Sequence, residues 1–138
     1  MSDKESSRSE RVTIDESVIE VYKELTEGGN AEDTPFRTMK DVFMLAAALG
    51  FQRGRRRALA GGGKTTIRKE VFTDADIAIL KGIAIASAED VTVLSDFGIV
   101  LTTVEEFAYT GILEVKSMLL DQPGRPLWNL VELLDGTA

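Results

Sequence analysis

The chain has 138 residues, 43% apolar and 28% charged, with a formal charge of −7. A single domain of this length buries about 68% of the surface its unfolded chain exposes. It contains neither Cys nor His, which excludes disulfides, thiolate nucleophiles, Cys- or His-held zinc and iron–sulfur sites, and the imidazole base beside a catalytic serine.

Residues 1–11 (MSDKESSRSER) hold only Ser and charged side chains after Met1. They have no apolar area to bury, so a loose tail is expected ahead of one domain over 12–134, with 135–138 a loose C-terminus. The opening also lacks the apolar core of a secretory signal, which points to the cytoplasm. Val12, Thr13 and Ile14 form a short extended segment. Asp15 then caps a helix whose apolar residues, Ile14, Val18, Val21, Tyr22 and Leu25, repeat at helical spacing. Gly28 and Gly29 end it. After a polar connection through Pro35, Thr38 caps a second helix from Met39 to about Gln52. Its run MKDVFMLAAALGF is apolar nearly all round and reads as a central helix, with Ala46, Ala47 and Ala48 admitting close neighbours.

Between Phe51 and Phe72 the charge reverses. Seven cations, Arg53, Arg55, Arg56, Arg57, Lys64, Arg68 and Lys69, face one acid, Glu70, so this segment is +6 and the other 116 residues carry −13. Gly61, Gly62 and Gly63 break any continuous helix there. Residues 53–69 therefore read as a mobile basic loop, with a short strand or hairpin near 64–72. Thr73 caps a third helix over 74–87, with Asp74 and Asp76 at its positive end. Residues 89–101 suggest a short helix and a turn. Thr103 and Glu106 match a capping box opening the clearest helix, 103–120. Val104, Phe107, Ala108, Gly111, Ile112, Val115, Met118 and Leu119 line its apolar face, and Glu105, Glu114, Lys116 and Asp121 face out. Gly111 on that apolar face costs about 1 kcal/mol of helicity relative to Ala, which close packing against another helix would offset. A turn at Pro123 and Gly124 leads to a short last helix around Leu127, Leu130, Val131 and Leu134.

Few motifs carry chemistry. Residues 58–65 (ALAGGGKT) fit a permissive phosphate-loop pattern, with Lys64 and Thr65 as the nucleotide ligands. The context departs from it, because an arginine run stands where a buried strand belongs and no apolar helix follows. Asp74 and Asp76 resemble a calcium loop that fails at Ala78 and Ile79, so helix-start charge explains them. Glu105 and Glu106 diverge by about 100° on a helix and share no site. Phe107, Tyr109 and Trp128 read as core or interface residues. The basic segment is the better signal, since Arg and Lys on a Gly-rich loop conform to phosphates and release counterions. An acidic protein partner is the competing occupant. Arg11 to Ile14 followed by two helices also looks superficially like a ribbon-helix-helix repressor, in which paired strands of a dimer enter the major groove.

Residues 36–51 (FRTMKDVFMLAAALGF), followed by the arginine run, resemble the opening motif of the DNA phosphorothioation-associated protein 4 family, linked to dnd-type DNA modification and restriction systems. Residues 105–112 (EEFAYTGI) are similar to that family's "acidic-acidic-Tyr-Ala-x-x-Gly-Leu" stretch, with Phe107 in place of Tyr. The matches span about residues 36–119, and the GGGKTT loop lies outside the pattern. The resemblance implies an accessory role in antiviral defence and brings no catalytic residues. With Cys absent, this chain cannot itself carry sulfur as a persulfide.

The sequence therefore predicts a mainly α domain of five or six helices. Its expected core is Phe43, Ala47, Leu49, Leu80, Ile83, Phe107, Ala108, Ile112, Val115 and Leu119, centred on helices 39–52, 74–87 and 103–120. The expected function is a cytoplasmic, non-catalytic accessory protein with no cofactor and no metal. It contacts DNA, or a protein subunit of the same defence system, through Arg53, Arg55, Arg56, Arg57, Lys64, Arg68 and Lys69. A protein–protein adaptor without nucleic-acid contact is the alternative. No membrane association is expected, because no apolar run reaches the roughly 18 residues of a spanning helix. The pattern leaves room for a homodimer.

Overall fold

The structure is a computed structural model that describes residues 10–61 and 65–136. Strand β1 (Arg11–Ile14) leads through a 3-10 turn into α1 (Ile19–Thr26), and α2 (Met39–Arg53) follows. Strand β2 (Thr65–Arg68) and a second 3-10 turn precede α3 (Asp74–Ala88). A third such turn, Val91–Ser95, leads to α4 (Phe97–Val115), whose last turn widens to a π-helical one over Lys116–Leu120, and α5 (Pro126–Gly136) ends the fold. The five α-helices and the small antiparallel ribbon agree with the mainly α expectation.

The centre is the crossing of α2 and α4, and glycine makes it close. A Cβ on Gly111 would stand 2.7 Å from the Ala46 carbonyl carbon and 2.8 Å from the Gly50 nitrogen. One on Gly50 would stand 2.7 Å from the Phe107 carbonyl carbon. Two backbones thus touch with nothing between them, which is the compensation expected for Gly111. Phe51 of α2 meets Phe107 of α4 edge to face at 5.6 Å between centroids, a favoured aromatic geometry. All ten expected core residues are buried.

Three expectations need correction. First, α4 begins at Phe97, six residues before Thr103. Asp96 is the true cap, its carboxylate accepting the Gly98 N–H at 2.9 Å. Thr103 lies inside the helix, buried, and its hydroxyl donates to the Ile99 carbonyl at 2.8 Å. Second, Glu105 does not face out. It is buried and accepts the Thr13 N–H at 2.6 Å, closing the edge of β1 that β2 leaves open. A four-residue strand exposes that N–H row, and an unsatisfied buried donor would cost about 1–3 kcal/mol. Third, α3 is central on one face only. Leu80, Ile83 and Ala84 are buried, but Ile79 is 53% exposed. Its start is as expected, with Thr73 and Asp76 forming a reciprocal capping box.

The ribbon joins distant parts of the chain. β1 pairs with β2 in the register Arg11 with Arg68, Val12 with Ile67, Thr13 with Thr66 and Ile14 with Thr65. Val12, Ile14 and Ile67 point into the core. The ribbon-helix-helix likeness goes no further, because β2 of the same chain pairs one edge of β1 and Glu105 takes the Thr13 N–H on the other, so β1 is not free to pair with a second copy. Among the described residues, no helix is long and apolar enough to cross a membrane.

Candidate functional site

The basic segment starts where α2 stops. Gly54 takes a left-handed conformation (φ 68°), a shape that costs glycine no steric penalty. Its N–H bonds the Gly50 and Phe51 carbonyls, and the Arg55 N–H also bonds Gly50. The chain thereby turns back along α4. Arg53, in the last turn of α2, sits favourably at that helix's negative end.

Residues 55–61 are held against the body at several points. Thr110 of α4 donates its hydroxyl to the Arg55 carbonyl at 2.8 Å. The Arg57 N–H bonds the Glu106 carbonyl at 3.4 Å. Further on, the Ala60 and Gly61 N–H groups donate to one Asp15 carboxylate oxygen at 2.7 and 3.1 Å. The other Asp15 oxygen takes the Ser17 N–H and hydroxyl at 2.9 and 2.7 Å. Burial raises the Asp15 pKa, but the Ser17, Gly61 and Ala60 donors together outweigh it and hold the carboxyl below its ordinary range. Asp15 thus caps the 3-10 turn Glu16–Val18, not the expected helix, and anchors the glycine loop as well.

The arrangement builds a groove of about 480 Å³. Arg53, Arg55, Arg56 and Arg57 line it along one side, Gly50 and Gly54 form its base, and Thr110, Leu113 and Glu114 of α4 stand opposite. Arg53 pairs with Glu114 at 3.2 Å, and Arg56 with Glu106 at 2.9 Å. Arg56 also donates to Ser87 and lies 5.7 Å from the centroid of Phe107. The Arg57 guanidinium stands 5.7 Å from the centroid of Tyr109, a cation–π contact. Among the described residues, neither Arg55 nor Arg57 has a carboxylate within ion-pair distance. The lining thus carries four guanidiniums and one carboxylate. Each guanidinium offers five N–H donors in a planar fork, so even the two paired arginines keep donors for a second anion.

The remaining sequence candidates go elsewhere. Arg68 is exposed on the ribbon opposite Arg11, and Lys69 lies 4.7 Å from the centroid of Phe97. Neither lines the groove. Lys64 lies outside the described residues, as do Gly62 and Gly63. β2 follows the glycines where a phosphate loop requires a helix, so the nucleotide reading has no support from the fold. The opposite wall of Thr110, Leu113 and Glu114 was absent from the sequence candidates, as was Glu106, which holds Arg56 from outside the lining; the four recur on one face of α4 at spacings of three and four, but only the fold shows which segment they meet. Among the described residues, no three carboxylates converge closely enough to hold a metal ion.

Neither a curated protein nor a solved structure matches this chain. A family model described as DNA sulphur modification system-associated protein 4 matches residues 11–134, which span the ribbon, the glycine crossing and the arginine groove. The chain therefore belongs to the family of DNA sulphur modification system-associated protein 4.

Proposed function

We propose that this chain is a cytoplasmic, non-catalytic accessory protein of a DNA sulphur modification system, and that it holds the DNA backbone in the Arg53–Arg57 groove. The observation that carries this reading is the charge arrangement. Four arginines share one groove with a single carboxylate, on a chain whose net charge is −7. Phosphate is the ligand a guanidinium fork fits best on nucleic acid, and such contacts position a protein without reading sequence. The anionic remainder keeps the contact local, because a duplex is repelled by the rest of the surface. Membership of a family associated with DNA sulphur modification supports this reading, because such a system acts on DNA.

A gel-shift titration on a short duplex, plain and phosphorothioated, tests it. The wild-type chain retards the duplex at low salt, and Arg55→Glu with Arg57→Glu abolishes retardation while the far-ultraviolet dichroism is unchanged. Equal retardation by that variant refutes the reading. A second reading, an adaptor for an acidic protein, draws on Arg53 and Arg56 already holding carboxylates. Co-purification with another subunit that survives nuclease digestion, and is lost in the same variant, would select it.

A further inference from the structure

Helix α5 has more apolar surface than it buries. Leu130 packs against the core, and Asn129 donates its side-chain amide to the Leu119 carbonyl at 3.1 Å. The helix start is fixed from the far side. The Leu127 N–H bonds the Glu32 carbonyl at 2.9 Å, the Trp128 indole N–H bonds the Glu32 carboxylate at 2.9 Å, and Arg125 pairs with the same carboxylate. With its orientation set in this way, α5 turns Trp128, Val131 and Leu134 to solvent, 55%, 39% and 60% exposed. Steps of three residues place them in one stripe about 120° wide. Exposed Glu132 and Asp135 lie beside and within that stripe.

The charge on the helix has one sign. Between Pro126 and Gly136, α5 carries two acids, Glu132 and Asp135, and no base. The bases nearest in sequence are committed, Lys116 to Asp121 at 3.1 Å and Arg125 to Glu32. A second copy docking face to face would bring Glu132 and Asp135 against their own copies, and an anionic lipid surface would be repelled equally. We infer that the outer face of α5 is a docking surface for an amphipathic helix of a partner protein, with basic residues flanking its apolar stripe. The exposed stripe covers about two turns of helix at the three-residue spacing of anchors in helix-to-helix recognition, and Trp, half exposed here, is among the side chains most enriched in binding hot spots. This site is independent of the arginine groove, and either can fail without the other.

Trp128 is the only tryptophan in the chain, so its emission reports this site alone. The full chain is titrated with a synthetic leucine–lysine amphipathic helix of about fourteen residues, long enough to hold helical structure on a surface, and with its leucine–glutamate counterpart. A saturable blue shift with the lysine peptide and none with the glutamate peptide is expected. Glu132→Lys with Asp135→Lys should weaken the lysine peptide about tenfold or more, as expected when attraction becomes repulsion. If that variant loses helicity, Glu132→Gln with Asp135→Asn replaces it and should weaken the peptide in the same direction. No shift with either peptide, equal shifts with both, or equal binding by the variant overturns the inference. So does an emission that moves with protein concentration alone alongside a dimer in sedimentation, because a second copy would then cover the face.

Discussion

Replacing Gly111 with Ala adds one methyl group where α4 meets α2. Gly111 is helical and has no positive φ, so helix propensity alone would stabilise the chain by about 1 kcal/mol. The added carbon, however, lands 2.7 Å from the Ala46 carbonyl carbon and 2.8 Å from the Gly50 nitrogen. Both are backbone atoms of a packed helix and have no rotamer to change. Ordinary contact lies near 3.5–4.0 Å and the Ala46 carbonyl oxygen stands closer still, so the helices must separate by more than about 1 Å along the crossing, a gap that forfeits about half or more of the dispersion energy there. Overpacking of this severity costs about 3 kcal/mol. The net loss is about 2 kcal/mol, and for a domain of this size Tm falls by about 7 °C. Gly82→Ala is the internal control. Gly82 is exposed on α3, and a Cβ there meets nothing within 4 Å. The same substitution should therefore raise Tm by about 3 °C. Urea and thermal unfolding followed by dichroism give both numbers. If Gly111→Ala proves as stable as the wild type, the two helices do not cross backbone to backbone and the account of the core is wrong.

Two further substitutions test how the basic segment and the ribbon are fastened. Asp15→Asn should destabilise by about 2 kcal/mol at neutral pH, because charged acceptors make the stronger hydrogen bonds. Since the Asp15 carboxyl is held below its ordinary pKa, its contribution is complete above about pH 4 and is lost as pH falls through the lowered value. Asp76, lowered by Lys40 and Thr73, has the same sign. The stabilities of wild type and Asp15→Asn should therefore converge on acidification; a constant difference down to about pH 2 would remove Asp15 from that role. Glu105→Ala should cost about 2 kcal/mol by orphaning the Thr13 N–H, whereas Glu105→Gln, which can still accept it, should cost less than about 1 kcal/mol. Equal costs in urea titrations would show that the β1 edge does not depend on this acceptor.

What the sequence revealed followed from local signals. Gly111 on an apolar face announced a close crossing, because only contact with another backbone compensates a glycine there. Thr73 with Asp76, and Thr38 before an apolar run, marked real helix starts. The pattern Thr103-x-x-Glu106 was a decoy. Asp96 seven residues earlier caps the helix, and with Thr103 back-bonded to Ile99 the helix simply runs through. Glu105 could not be placed as a buried acceptor without knowing that β1 lies beside it. The β1–β2 pairing joins four-residue strands more than fifty residues apart, too short for alternation to reveal. The arginines were conspicuous as a run, but their partners Glu106 and Glu114 belong to a helix that only the α2–α4 crossing brings alongside. Arg68 and Lys69, close in sequence, leave on the ribbon. Placing α3 at the centre overstated its burial, because only the face of Leu80, Ile83 and Ala84 meets the core while Ile79 stands in solvent.

The central claim is that unpaired arginines of one groove hold DNA phosphates. Its most direct test is the salt dependence of duplex affinity, measured by fluorescence anisotropy for the wild type and for Arg55→Ala with Arg57→Ala. Each phosphate contact contributes about −0.9 to the slope of log K against log salt. The account predicts a slope shallower by about 1.8 in the double variant, with weaker binding at every salt concentration. An unchanged slope would place the DNA, if it binds at all, elsewhere on the molecule.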